Sequence, residues 1–241
     1  MTTPNLGLPF ILQGQAQKEV THNEALIRLD ALVHGSVRSR SLATPPGSPA
    51  NGERWIVPSG ATGAWAGQTG RIAHWNVNAW AFYVPVTGWR AHVEDERLTV
   101  VWADGDWRDR IVGTPNGGAI RLVALEQELT LTGAFVDTTT AVIADRMIVL
   151  AVASRTTLAI TGATSYGVGV AGNTSQFGGS LGIALGSNNI GVIGPTAFYA
   201  NTPIRVTAAG GNFTAGRVRI VLYALAFTAP MVGASLVLPG A

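Results

Sequence analysis

Residues 98–111, LTVVWADGDWRDRI, place two tryptophans five positions apart around an Asp-Gly dipeptide. Asp-Gly between apolar segments is the preferred two-residue type I′ turn, because both central residues need a positive φ and the turn then matches the twist of its strands. A turn at Asp104-Gly105 pairs Ala103 with Asp106 and sets Trp102 opposite Trp107. That is a non-hydrogen-bonded position, where side chains approach most closely. Residues 71–84, RIAHWNVNAWAFYV, repeat the offset. There Trp75 faces Trp80 if Val77-Asn78 is the turn, although valine is strained at positive φ and a longer loop is the alternative. Cross-strand aromatic pairs contribute about 0.2–1 kcal/mol each, and a small β unit needs such staples. Trp75, Trp80, Trp102 and Trp107 therefore read as structural hairpin pairs.

Outward from these hairpins, residues 43–112 form a small Trp-rich β domain that begins with a Pro/Gly/Ser linker or long turn, ATPPGSPANGE, at 43–53. Before it, residues 1–42 comprise an extended lead over 1–14 and one convincing helix in QAQKEVTHNEALIRLDALVHGSV. Thr21 and Glu24 make a capping-box pattern, Val20 can staple onto Ala25, and Gly35 is a suitable stop. Ala25, Leu29, Leu32 and Val33 form an apolar stripe at helical spacing, which a lone helix must bury against the β region or another subunit. Residues 113–228 carry strands such as MIVLAVASRTTLAI, GVIGPTAFYA, PIRVTAAGG and GRVRIVLYALAF between Gly and Asn turns, the spacing of a β-sandwich of jelly-roll type. The tail 229–241, apolar and bracketed by Pro230 and Pro239, reads as an extended arm. The expected fold class is mainly β, with an N-terminal helix.

Composition narrows the chemistry. Charged residues make up 12% of the chain, about half the usual share, and so low a surface charge favours association. A formal charge of +2 is too small an electrostatic footprint for nucleic acid. Without cysteine there is no disulfide framework, thiolate metal site or cysteine nucleophile. The start MTTPNLGLPF lacks the charged and continuously apolar parts of a secretory signal, and no apolar run approaches the ~20 residues of a membrane span.

No Asp or Glu follows Asp145 and no His follows His92. Paired carboxylates, a Ser-His-Asp triad or a His/carboxylate metal site therefore cannot be housed in the C-terminal domain alone. The run GVGVAG, Gly167 to Gly172, matches a dinucleotide fingerprint but lacks the following helix and the acidic residue, so it reads as tight turns in a glycine-rich β domain. Glu94, Asp95 and Glu96 beside His92 suggest a metal or acid/base cluster, yet successive strand residues point to opposite faces, and a solvated charged turn is the better reading. His22 and His34 are too far apart along the helix to share a ligand. Trp65, in GATGAWAGQTG, and Trp89, in VTGW, lack an evident cross-strand partner and are the candidates for a carbohydrate contact. No catalytic, metal or cofactor-binding residue is assigned, and the expectation is a protein that is not an enzyme and needs no cofactor.

The strings LGLPFILQGQAQKEVTHNEALIRLDALV, GERWIVPSGATGAWAGQTGRIAHW, GWRAHVEDERLTVVWADGDW and FGGSLGIALGSNNIGVIGPTAFYANTPIRVTAAGG resemble a family of structural proteins from alphaproteobacterial prophages and gene transfer agents. Its members were formerly described only as a domain of unknown function. The resemblance covers nearly the whole length and departs at Val77-Asn78, where an Asp-Gly type turn is expected. It implies a virion component, a head-spike base or tail-fibre-like protein that helps the particle adhere to the cell envelope or capsule. The bacterial cytoplasm is then the place of synthesis and the particle the destination. The partners implied are copies of the chain itself, other virion proteins such as capsid or spike fibre, and host capsular polysaccharide. Nucleic acid and membrane are not among them.

Overall fold

The computed structural model describes residues 18–33, 35–76 and 78–230. The chain is mainly β with one α-helix near its N-terminus among the described residues. The expected lead over 1–14 and most of the expected arm, 231–241, lie outside the described residues, as do His34 and Val77. Two compact units divide the chain between Asp109 and Arg110.

The first unit opens with α1, Lys18–Leu32. The helix is already formed at Lys18, so Thr21 sits inside it and is not its N-cap. Nothing in Lys18-Glu19-Val20 is a helix breaker, and the turn simply extends back through them. The inward face also differs from the expected stripe. Ala31 is buried and Thr21, Ala25, Arg28 and Leu32 are half-buried, whereas Leu29 and Val33 are exposed. The Arg28 guanidinium lies 5.6 Å from the centroid of the Tyr83 ring, which draws that side of the helix inward. At the C-terminal end Arg54 Nη1 donates to the carbonyls of Ala31 and Asp30 at 3.0 and 3.4 Å, supplying donors that a helix end otherwise lacks. Gly35 has a different task from stopping the helix. Its backbone packs so closely on the strand containing Arg90 that a Cβ would stand 2.8 Å from the Arg90 carbonyl oxygen.

The strands of this unit are β1 (Ser36–Val37), β2 (Arg54–Ile56), β3 (Ile72–Asn76), β4 (Ala79–Tyr83), β5 (Arg90–Val93), β6 (Leu98–Ala103) and β7 (Asp106–Arg108). They form two small sheets, β2-β3-β4 and β1-β5-β6-β7, antiparallel except for the parallel β1–β5 pair. Asp104 and Gly105 have φ of 55° and 76°, the type I′ signature, and Trp102 lies opposite Trp107. In the other hairpin Trp75 lies opposite Trp80 and Asn78 takes φ 65°. One core is formed by Val37, Ile56, Ile72, Tyr83, Val93, Val100 and Trp107 with Ala31 of α1. On the opposite face of the three-stranded sheet a second core gathers Trp55, Val57, Trp65 and Ala73.

The second unit contains β8 (Val112–Gly113), β9 (Ala119–Thr130), β10 (Phe135–Ile143), β11 (Ile148–Thr161), β12 (Ser165–Val170), β13 (Asn173–Leu181), β14 (Asn188–Ala197), β15 (Thr202–Ala209) and β16 (Ala215–Thr228). Its sheets run β14-β11-β16-β9-β8 and β10-β15-β12-β13. The pairings β9–β16, β10–β15, β11–β14 and β12–β13 are nested, as in one long antiparallel ribbon folded at β12–β13 and rolled around a core. That is the jelly-roll arrangement. Strict alternation along β16 supplies the core from Val218, Ile220, Leu222 and Ala224 and turns Arg217, Arg219 and Tyr223 outward. The register of β10 against β15 shifts between Asp137 and Val142. Thr138 Oγ1 satisfies this irregularity by accepting from Ile204 N and donating to the Ala141 carbonyl, both at 2.9 Å.

Candidate functional site

A cleft of about 390 Å³ in the first unit is lined by the β6–β7 hairpin, by Arg40 and Ser41, and by segments around Ile56–Ser59 and Thr69–Gly70. Its walls follow from the turn at Asp104-Gly105, which pairs Trp102 with Trp107 at 5.5 Å between ring centroids and 64° between planes. Trp107 Nε1 donates to the Gly70 carbonyl at 2.8 Å. The Trp102 ring lies against Gly70, whose φ is +77°. Across the cleft Arg40 forms a fork with Glu96, Nε to Oε1 and Nη2 to Oε2, each 2.8 Å, and its Nη1 donates to the Trp107 carbonyl at 3.2 Å. The hydrogen bonds that Arg40 donates to Glu96 raise the Arg40 pKa above its ordinary value. The result is an indole beside a fixed, mutually neutralised guanidinium–carboxylate pair. Such a surface sets a half-buried indole beside a charged pair whose donors and acceptors already engage each other.

A second cleft of about 310 Å³ lies around Ser36, Arg38, Glu53, Arg54 and Glu94. Arg38 bridges two acids, donating from Nε to Glu53 at 3.0 Å and from Nη1 to Glu94 at 2.6 Å. Ser36 Oγ donates to Glu94 at 2.6 Å, and this bond, followed by Arg38, holds the Glu94 carboxyl below the usual range. The run Glu94–Glu96 is thus a turn whose outer acids clasp Arg38 and Arg40, rather than one that is merely solvated. Sequence spacing gave no sign of this because the arginines lie more than fifty residues earlier. His92 is exposed on β5, opposite Thr99.

The two proposed carbohydrate contacts fare differently. Trp65, at the end of the 3-10 turn Gly63–Trp65, is 0% exposed. It packs at 5.9 Å from Trp55 and 5.1 Å from Trp80, and Trp80 also meets Trp75 at 4.9 Å. An indole with no exposed face cannot receive a sugar, so Trp65 belongs to the core. The missing partner was Trp55, which the turn chemistry of residues 60–70 brings near but no hairpin offset reveals. Trp89 is half-buried, and its carbonyl accepts from Trp102 N at 2.8 Å, which places it in the ladder beside the cleft-lining tryptophan. His22 is exposed on α1. His74 is a buried histidine that sequence reading did not single out. Its Nδ1 lies 3.4 Å from Tyr83 Oη, and burial, then Arg54, lowers its pKa.

Gly167 and Gly169 lie in strand β12 rather than in turns. The β13 backbone comes so close that a Cβ on Gly167 would stand 2.7 Å from the Thr174 carbonyl oxygen. Among the described residues no group of three His, Cys, Asp or Glu side chains is arranged to hold a metal ion, and no helix is long and apolar enough to cross a membrane.

Residues 22–108, which span most of α1 and both tryptophan hairpins, match the family model described as "Protein of unknown function (DUF2793)". No curated protein matches the chain. Among solved structures the chain is similar to one described as "Cyanophage Pam1 capsid asymmetric unit", at 19% identity and TM-score 0.35, covering 52% of this chain and 96% of that one. A score that low does not define a shared fold.

Proposed function

We propose that the chain is a structural subunit of a phage-like particle of the gene-transfer-agent kind, serving as a head-spike base that supports attachment to the host envelope or capsule. It is made in the bacterial cytoplasm, associates with its own copies and with other virion proteins, and performs no catalysis. The particle assignment is supported by the resemblance of the long strings noted above, and the match over residues 22–108 is consistent with it. The observation that carries the structural role is the use of the carboxylates. Glu53, Glu94 and Glu96 in the first unit and Glu126, Glu128 and Asp137 in the second all tie to arginines. A carboxylate held in such a pair serves as a clasp between chain segments.

Immunolabelling of particles released by the producing bacterium tests this reading. Label is expected at a fixed position on the particle, and particles devoid of the protein would refute it. Incubation with capsular polysaccharide is expected to leave chain length unchanged; shortening would show an enzyme.

The Trp102 cleft favours a second reading, a carbohydrate-binding module that itself grips the host glycan. Under it the isolated protein is retained by immobilised capsular polysaccharide, and Trp102→Ala abolishes retention while the circular dichroism spectrum is kept. Retention unaffected by Trp102→Ala and Trp89→Ala would remove the cleft from consideration.

A further inference from the structure

The outward face of sheet β14-β11-β16-β9 is divided in a way that a solvated sheet is not. Along β16 the outward residues are Arg217 and Arg219, then Val221, Tyr223, Leu225 and Phe227. The registers place Val192, Ala151, Tyr223 and Ala124 in one transverse row, and Ile148, Leu225 and Leu122 in the next. Ile190, Ala153 and Val221 flank them on the other side. One half of the face is therefore apolar across four strands. Val192 is 74% exposed, Ile190 68% and Leu122 63%. The other half is ionic, Arg219 reaching Glu126 and Glu128 and Arg217 reaching Glu128, with Arg155 exposed opposite Arg219.

We infer that this apolar half-face is the contact through which a second copy of the chain binds, sheet against sheet. The exposed apolar area is on the order of 600 Å², at the top of what a monomer carries and near the ~800 Å² each partner contributes to a standard interface. The occupant follows from symmetry and charge. A two-fold axis parallel to the sheet, lying between the two copies and running along the Tyr223 row, lays apolar half on apolar half and carries the two ionic halves outward in opposite directions. No charge is then buried, and two twisted sheets pack at about 10 Å as they do inside a sandwich. A partner of different chemistry would have to be selected by charged or hydrogen-bonding groups, and the rows just named present the Tyr223 hydroxyl and, at their border beside Val221, Glu126, which faces Arg219. This deepens the subunit reading by assigning its self-contact. A monomer that is still incorporated into particles would overturn the interface and leave that reading standing.

The test uses the full chain. Sedimentation at micromolar to 100 μM concentrations is expected to show a dimer or larger assembly of the 25.1 kDa chain, reduced to a smaller species by Leu122→Glu with Val192→Glu. A native monomer, whether because residues 231–241 cover the face or because another protein does, overturns the inference, as does an assembly that the double variant leaves intact. If that variant does not fold, single cysteines decide, since the chain has none of its own. Ala124→Cys in the apolar half is expected to join two chains through a short bis-maleimide, and Thr130→Cys in the ionic half is not. The reverse pattern, or no crosslink at Ala124→Cys, overturns the assignment.

Discussion

Gly70→Ala tests whether the tryptophan cleft is built as described. At Gly70 φ is +77°, and a Cβ there would stand 2.8 Å from Trp102 Cη2 and 3.1 Å from Cζ3. Placing alanine at a left-handed φ costs about 1 kcal/mol. Forcing an indole edge away from a packed position adds about 1–3 kcal/mol, so the substitution is expected to destabilise the first unit by about 2–4 kcal/mol. The displacement also strains the 2.8 Å bond from Trp107 Nε1 to the Gly70 carbonyl. Urea denaturation followed by tryptophan fluorescence isolates this unit, because all seven tryptophans fall between residues 55 and 107. Trp102→Leu removes the two ring atoms responsible. In that background the cost of Gly70→Ala is expected to fall to the conformational part, about 1 kcal/mol, an interaction of about 1–3 kcal/mol between the two sites. Equal costs in both backgrounds would refute the packing argument.

Three further outcomes are expected. His74 has a folded-state pKa lowered chiefly by burial and secondarily by Arg54, so the unfolded chain binds its proton first. Stability of the first unit therefore holds above the ordinary histidine value of about 6.5 and falls as pH drops below it, a slope that fluorescence-monitored denaturation should lose in His74→Gln. Glu94, also depressed, contributes stability that is lost as pH falls below the usual carboxylate pKa, so its effect sets in at lower pH than that of His74. Trp65→Ala empties a fully buried site among Trp55, Trp80 and Ala73; a loss of about 3–5 kcal/mol is expected, and a loss below 1 kcal/mol would contradict its placement. In the second unit Arg205 makes two 2.7 Å bonds to Asp137 while stacking 3.8 Å above Phe135. Arg205→Lys keeps the charge but loses the flat fork and stack, and calorimetry is expected to show a loss of about 1 kcal/mol.

Turn chemistry made part of this structure legible in advance. Asp104-Gly105 dictates its own register, so the Trp102–Trp107 pairing could be derived from five residues. The class of the second unit was readable from strand length and glycine turns. Its strand order was not, because β9 pairs with β16 across almost a hundred residues and no local signal records that choice. The start of α1 is not legible because Thr21 has good capping chemistry, whereas Lys18–Val20 are ordinary helix formers and the helix runs through both. The burial of Trp65 is hidden for a similar reason. Its partners, Trp55 and Trp80, come from different strands, and an aromatic in a glycine-rich loop looks exposed until the loop folds back. The arginine clasps on Glu94 and Glu96 required knowing that residues 38–40 run beside the β5–β6 turn.

The rolled ribbon has a mechanical consequence. Ala119, the first residue of β9, lies directly opposite Thr228, the last of β16, so the chain enters and leaves the roll at neighbouring points on one end. Tension applied between those points would peel the β9–β16 ladder open one pair at a time instead of shearing all its bonds together. The roll would thus be compliant to traction along its connections, and, because its two attachment points adjoin, it is the kind of cassette that can be exchanged for another without re-routing the rest of the chain.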